Sequence, residues 1–507
     1  SNADRQLSFV LSSEVNLQRL PQFVSEKFPD WVLKGDVPVK GRVNGGMNTL
    51  HFEATADLQQ ASLSHKQLLN LRPREGDSLN ISGRLEDQQA IIDPATLHWS
   101  SVTGQIKGRI PLNNPQKLNL DGEISSADLA ELRQISPVLH KLNLSGQATL
   151  SFSQQGGWER NFPELTLTLN DAGLGTGPIL ADLSQINGKL MIRPDELVSE
   201  QLQARLGNSP FSARFRLSDF DEPVVEAWLE AKSIRADELI FYSDRRMLRN
   251  LRGHLLLDRR TILLDPVTLE LDNGTRPTVH GSIVVGSPVE VELDIRSDFV
   301  DVSEIIALWT DRSESTAHSA DRHHPPPASP PRVVIRAEAS QGDLFGMKFH
   351  HATGIISPKH GQLVIHPLDF QVGDGYCNVQ VLVDFLPDHH ALLRISGHGE
   401  DLDALQIYQE LLNQKNIVRG RLRGDFYLQG SIGSDYLPSS YGEFNIEVRD
   451  GVLHKFPVLS KVFSLLNISQ LFNFELPDMD HEGMPFEKLK GHFTLTQGVL
   501  KSGDPTS

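Results

Sequence analysis

A single cysteine, Cys377, occurs in 507 residues. An internal disulfide is therefore impossible, and a zinc site of the usual cysteine-based kind is excluded. The sequence also lacks a signal peptide and any apolar run long enough to cross a bilayer. A membrane anchor is expected to lie outside these residues. Ser1, Asn2 and Ala3 read as an expression scar, and the ending at Asp504–Ser507, just after a strand-like run, reads as a cut. There is no concentration of positive charge. The formal net charge is −17, and Lys and Arg are scattered along the chain, which argues against a nucleic-acid partner.

Catalytic signatures are missing too. There is no Gly-x-Ser-x-Gly elbow, no phosphate-binding loop and no dinucleotide fingerprint. The carboxylates fall mostly on outward strand positions or helix caps, and no acid–base pair stands out. His350, His351, His360, His366, His389, His390 and His398 crowd one region, but their spacing matches no metal motif. Neighbouring histidines on one strand point to opposite faces, so they read as surface residues. The expectation is a protein that is not an enzyme and carries neither cofactor nor metal.

What the sequence has is period-two alternation from end to end. Val418, Gly420, Leu422, Gly424, Phe426 and Leu428 point one way, and Arg419, Arg421, Arg423, Asp425, Tyr427 and Gln429 the other. The run from Leu142 continues with Leu144, Gly146, Ala148, Leu150 and Phe152. Phe211/Ala213/Phe215/Leu217, Val289/Val291/Leu293/Ile295 and Val379/Val381/Val383/Phe385 repeat the pattern. Each strand has one apolar and one polar face, as antiparallel sheets do.

Helices are few and recur in one setting, after a strand and before a Gly-bearing strand. They are expected at 125–132, 233–239, 301–306 and 401–405, with a weaker one at 14–17, each with an acidic or Ser cap. Their spacing is about 100–113 residues, with one interval of about 64, in the range of a large supersecondary repeat. The expected division is 4–124 and 125–232 as repeats, 233–309 as a short repeat, and 333–398 as strands continuing it. Residues 310–332, with His323-His324 and two proline runs, read as a linker or insertion, with a domain boundary as the alternative. Residues 399–507 are expected to form a C-terminal module.

The expected fold is mainly β: an elongated, curled antiparallel sheet with a few short capping helices. Such a sheet must cover its apolar face. It can curl into a trough, or a second sheet can seal the face as a dry core. The regular repeat favours the trough. Glycines on the apolar face, among them Gly41, Gly108, Gly122, Gly146, Gly253, Gly281, Gly420 and Gly424, fit close approach of a ligand or simple strand bending.

The C-terminal residues carry the most specific pattern. Arg449-Asp450-Gly451-Val452-Leu453 is followed by Phe456-Pro457-Val458-Leu459-Ser460-Lys461-Val462-Phe463-Ser464-Leu465-Leu466-Asn467. Then come Gly483-Met484-Pro485-Phe486, Gly491-His492-Phe493 and Gly498-Val499-Leu500. This region, most strongly 440–503, resembles the C-terminal module of the AsmA-like family of bacterial envelope proteins, which includes the YhdP and TamB branches. Over the rest of the chain the likeness is one of repeat texture.

The resemblance implies a periplasmic protein held in the inner membrane by an N-terminal helix, with a long β-groove. It implies phospholipid or another acyl-chain lipid as partner, carried toward the outer membrane, or support of outer-membrane biogenesis as a scaffold without lipid conduction. Outer-membrane or other envelope proteins would be further partners. The groove residues are then expected to be Leu142, Leu144, Leu150, Phe152, Phe211, Phe215, Val289, Val291, Leu293, Val379, Val381, Val383, Leu422, Phe426 and Leu428. A helix bearing Phe456, Leu459, Val462, Phe463 and Leu466 would cap one end of the trough or touch a membrane.

Overall fold

The computed structural model describes residues 7–19, 31–46, 49–65, 69–71, 74–100, 102–114, 117–126, 129–131, 143–156, 163–175, 181–220, 222–239, 241, 243–286, 288–310, 332–344, 346–359, 362–385, 391–412, 418–431, 436–453 and 483–502. The alternating segments form one main sheet of 26 strands, in which neighbours in space follow the order of the chain. It runs from Leu7–Asn16 at one edge to Val499–Ser502 at the other. It is mainly β and is not closed into a barrel. A second sheet of three short strands, Trp31–Lys34, Ser62–His65 and Leu69–Leu71, is the other sheet among the described residues.

Among the pairings described, all are antiparallel except one. Glu290–Asp301 lies parallel to Arg332–Leu344, with Val291 beside Val333 and Leu293 beside Ile335. A parallel neighbour requires a crossover. The helix Val302–Thr310 begins it, and the expected linker, apart from its terminal residues, lies outside the described residues. The sheet continues on both sides of that linker.

Local chemistry accounts for the irregular points of the ladder. Asp171, Gln185, Asn250, His351 and Asp401 have left-handed φ, and each sits where the register slips against a neighbouring strand. Asp, Asn and His tolerate that conformation better than other side chains. Such bulges bend the strand and raise its twist.

Contacts divide the chain into two compact units, Ser1–Ala231 and Lys232–Ser507. In the first, Leu17 of the 3-10 turn Leu17–Arg19 packs with Val37, Leu58 and Ala61, and Leu129 packs with Ala148 and Ala172. In the second, Ile305 and Leu308 of Val302–Thr310 join Ala236, Leu248 and Leu271. Ile407 of the helix Ala404–Leu412 packs on Val372, Cys377 and Leu402. Asp301 and Asp403 accept backbone N–H groups of Ser303 (2.9 Å) and Leu405 (2.8 Å), as capping residues do. The helix expected at 233–239 is corrected. Strand Val224–Arg235 runs through its first half, and only a 3-10 turn, Ala236–Glu238, follows. The β-branched Ile234 and the long Arg235 suit a pleated surface better than a short helix.

Candidate functional site

The predicted apolar rows lie on one face of their strands. Leu144, Leu150, Phe152, Phe211, Phe215, Val291, Leu293, Val381, Leu422, Phe426 and Leu428 are half-buried, while Val379 and Val383 are buried. Val289 falls just outside its strand, where its carbonyl accepts the Arg332 N–H at 2.8 Å. Leu142 and the helix residues Phe456, Leu459, Val462, Phe463 and Leu466 lie outside the described residues.

Register joins these rows across strands. In the second unit an unbroken line of directly opposed residues reads Leu255, Leu264, Gly281, Leu293, Ile335 and Ile356. It continues through Ile365, Val381, Ile395, Leu428, Gly442 and Leu495. Every member is apolar or glycine. At a strand spacing of about 4.8 Å the line extends roughly 50 Å along the sheet. All of its members are half-buried except Gly442, which is buried. In the first unit a similar line reads Ala95, Ile106, Gly122, Phe152 and Leu165. It goes on through Ile192, Leu197, Leu217 and Val225.

Half-burial has a consequence for the two packings that the sequence left open. A row sealed between two sheets would be removed from water along its length. Among the described residues the short helices and turns cover limited parts of the face, and the second sheet has three strands.

The glycines in and beside these lines have a direct use. A Cβ on Gly122 would lie 2.2 Å from the Phe152 ring, and one on Gly397 would lie 3.1 Å from the Phe426 ring. The aromatic side chain of one strand fills the place the next strand leaves empty. Gly281 has φ +146°, and a Cβ there would lie 2.1 Å from the carbonyl oxygen of Glu292. These positions serve close packing inside the sheet, so at them no space is left over for a ligand.

The opposite face is polar and mostly paired one to one. Arg296 meets Glu338 at 3.2 Å and Arg336 meets Asp294 at 3.6 Å. Glu447 differs. Its carboxylate receives Arg449 at 2.6 Å, Arg423 at 3.0 Å, Lys488 at 3.3 Å and Lys490 at 3.6 Å. Partial burial pushes its pKa up, but hydrogen bonds from Arg449, Arg423 and Lys488 outweigh this and hold it at about 2. His398 bridges two carboxylates, with Nε2 3.0 Å from Glu400 and Nδ1 2.8 Å from Asp425. Both contacts raise its pKa, Glu400 foremost. Cys377 is buried, and burial pushes its thiol up to about 11, which leaves almost no thiolate at neutral pH.

Among the described residues no group of three or more His, Cys, Asp or Glu is placed to hold a metal ion, and no helix is long and apolar enough to cross a membrane. Alternation located the apolar rows. It could not show that they meet across twelve strands of the second unit, because register depends on where each bulge falls. It also missed the gathering of cations round Glu447, whose members come from three strands. Comparison with protein-family models, curated proteins and solved structures finds no match for this chain.

Proposed function

We propose that this chain is the periplasmic part of an inner-membrane-anchored, bridge-like protein of the AsmA-like type, which binds phospholipids on the apolar face of its sheet and conducts them toward the outer membrane. The observation that carries this reading is the continuous apolar line of half-buried residues from Leu255 to Leu495. A methylene removed from water is worth about 0.8 kcal/mol, so exposing one tail of about sixteen carbons costs on the order of 12 kcal/mol. A pocket would hold such a tail at one point. A line of roughly 50 Å exceeds the ~30 Å hydrocarbon thickness of a bilayer and offers successive equivalent positions. The acyl chain would lie on the apolar residues while the headgroup stays in water.

Lipid extraction and native mass spectrometry of protein purified from a bacterial host test this. The expected result is co-purifying phospholipid that is lost in the Leu422→Asp/Phe426→Asp variant while the circular dichroism spectrum is kept. A chain that stays free of lipid even after mixing with labelled phospholipid overturns it.

One observation favours a second reading, a scaffold that binds other envelope proteins along a sheet edge. The edge strand Leu7–Asn16 pairs on one side only among the described residues, and Phe9, Val10 and Leu11 on it are 53%, 75% and 60% exposed. An edge of that kind can accept an added strand.

A further inference from the structure

Lys and Arg are scattered in sequence, but register gathers five of them. On the polar face of Val418–Ser431, Tyr441–Leu453 and Met484–Thr496, Arg421 stands opposite Arg449, and Arg449 opposite Lys488. The adjoining row is Arg423, Glu447 and Lys490. Like charges placed directly opposite each other destabilise a sheet. The one carboxylate within this grid, Glu447, is only 11% exposed and already holds four of the cations, whereas Lys490 is 65% exposed. At the border, Asp374 reaches Arg421 at 3.7 Å, and Asp403 faces Arg421 in register while capping a helix through the Leu405 N–H. The grid therefore keeps a surplus of positive charge in a chain whose net charge is −17.

A second observation lies on the same face of the same strands. Tyr427 and Tyr441 pack edge to face at 6.4 Å, and Tyr441 is 42% exposed. Cations and tyrosines are the residue types enriched where a protein meets the headgroup layer of a membrane. A sheet face carrying both, with the cations of the grid about 13 Å or more along the strand from the tyrosines, matches an anionic bilayer surface in charge and in chemistry.

We propose that this polar face of the last long strands docks on the surface of an anionic phospholipid bilayer. The inference does not rest on lipid conduction, because the apolar line lies on the opposite face.

Co-sedimentation of the chain with phosphatidylcholine vesicles, with and without phosphatidylglycerol, tests it. Binding is expected only with phosphatidylglycerol and is expected to fall with salt. Each removed charge should weaken binding about fivefold, so Arg421→Gln/Lys488→Gln/Lys490→Gln should weaken it about a hundredfold. Arg296→Gln/Arg332→Gln/Arg336→Gln removes as many charges from another part of the polar face and should change it little. Lys488→Arg/Lys490→Arg keeps the charge and should keep the binding, which separates loss of charge from loss of fold. Equal binding to neutral vesicles, no binding by the unaltered chain, or equal loss in both triple variants overturns the proposal. Displacement from the vesicles by a short DNA duplex at matched ionic strength also overturns it, by assigning the patch to nucleic acid.

Discussion

Phe152 and Gly122 face each other across adjacent strands, and the phenyl ring occupies the place where a Gly122 side chain would be. Gly122→Ala would press a methyl group to within 2.2 Å of that ring and must displace it. Overpacking of this kind costs about 1–3 kcal/mol. Urea unfolding should show that loss. Phe152→Leu combined with Gly122→Ala should lose less than the sum of the two single variants, because the smaller side chain frees the space. Strict additivity would mean that the ring and the glycine are independent.

Much of this was readable in the sequence, and the limit is physical. Alternation in Leu144–Gln155 or Val418–Ser431 assigns each side chain to a face, because successive residues on a strand point to opposite sides. It does not say which residue of the next strand lies opposite. That depends on bulges at residues such as Asp401 and Asn250, whose left-handed φ shifts the register by a residue or more. The parallel pairing of Glu290–Asp301 with Arg332–Leu344 was equally hidden, since alternation carries no strand direction. Glu447 looked like one more outward carboxylate, and only the pairing of three strands gives it four cations.

Glu447 sets an acid limit on its part of the sheet. Its ordinary pKa is 4.5, and the surrounding cations hold the folded value at about 2. A folded value below the unfolded one means that the stabilisation is fully present above pH 4.5 and is lost as pH falls toward 2. Unfolding midpoints measured between pH 5 and pH 2 should fall, and Glu447→Gln should flatten that dependence. At neutral pH the same variant should be less stable than the unaltered chain, because four cations then face no carboxylate. A Glu447→Gln profile parallel to the original one would place the acid sensitivity elsewhere.

His398 works in the opposite direction. Glu400 and Asp425 raise its folded pKa above the ordinary 6.5. Its contribution is present below the unfolded value and disappears as pH rises through the folded one. The site is half open to water, so the effect on stability should be no more than about 1 kcal/mol. Proton NMR should show the His398 ring titrating above 6.5, and Asp425→Asn should bring the midpoint down. An unchanged midpoint in Asp425→Asn would show that the 2.8 Å contact does not persist in solution.

Ile355 and Ile356 give the sharpest separation of the two faces. They are neighbours on Met347–Lys359, so they point to opposite sides. Ile355 pairs with Arg336 on the polar face and is 38% exposed. Ile356 stands between Ile335 and Ile365 in the apolar line. Ile356→Asp puts a charge into that line and should cost about 1–3 kcal/mol of stability. Under the proposed function it should also abolish phospholipid loading, because a hydrated carboxylate interrupts the surface on which a tail lies. Ile355→Asp adds the same charge one residue away and should leave loading intact. The measurement is bound phospholipid per chain, at a temperature where both variants keep the native circular dichroism spectrum. Equal loading by the two variants would show that acyl chains do not follow the line, and the exposed edge at Leu7–Asn16 would then carry the functional argument.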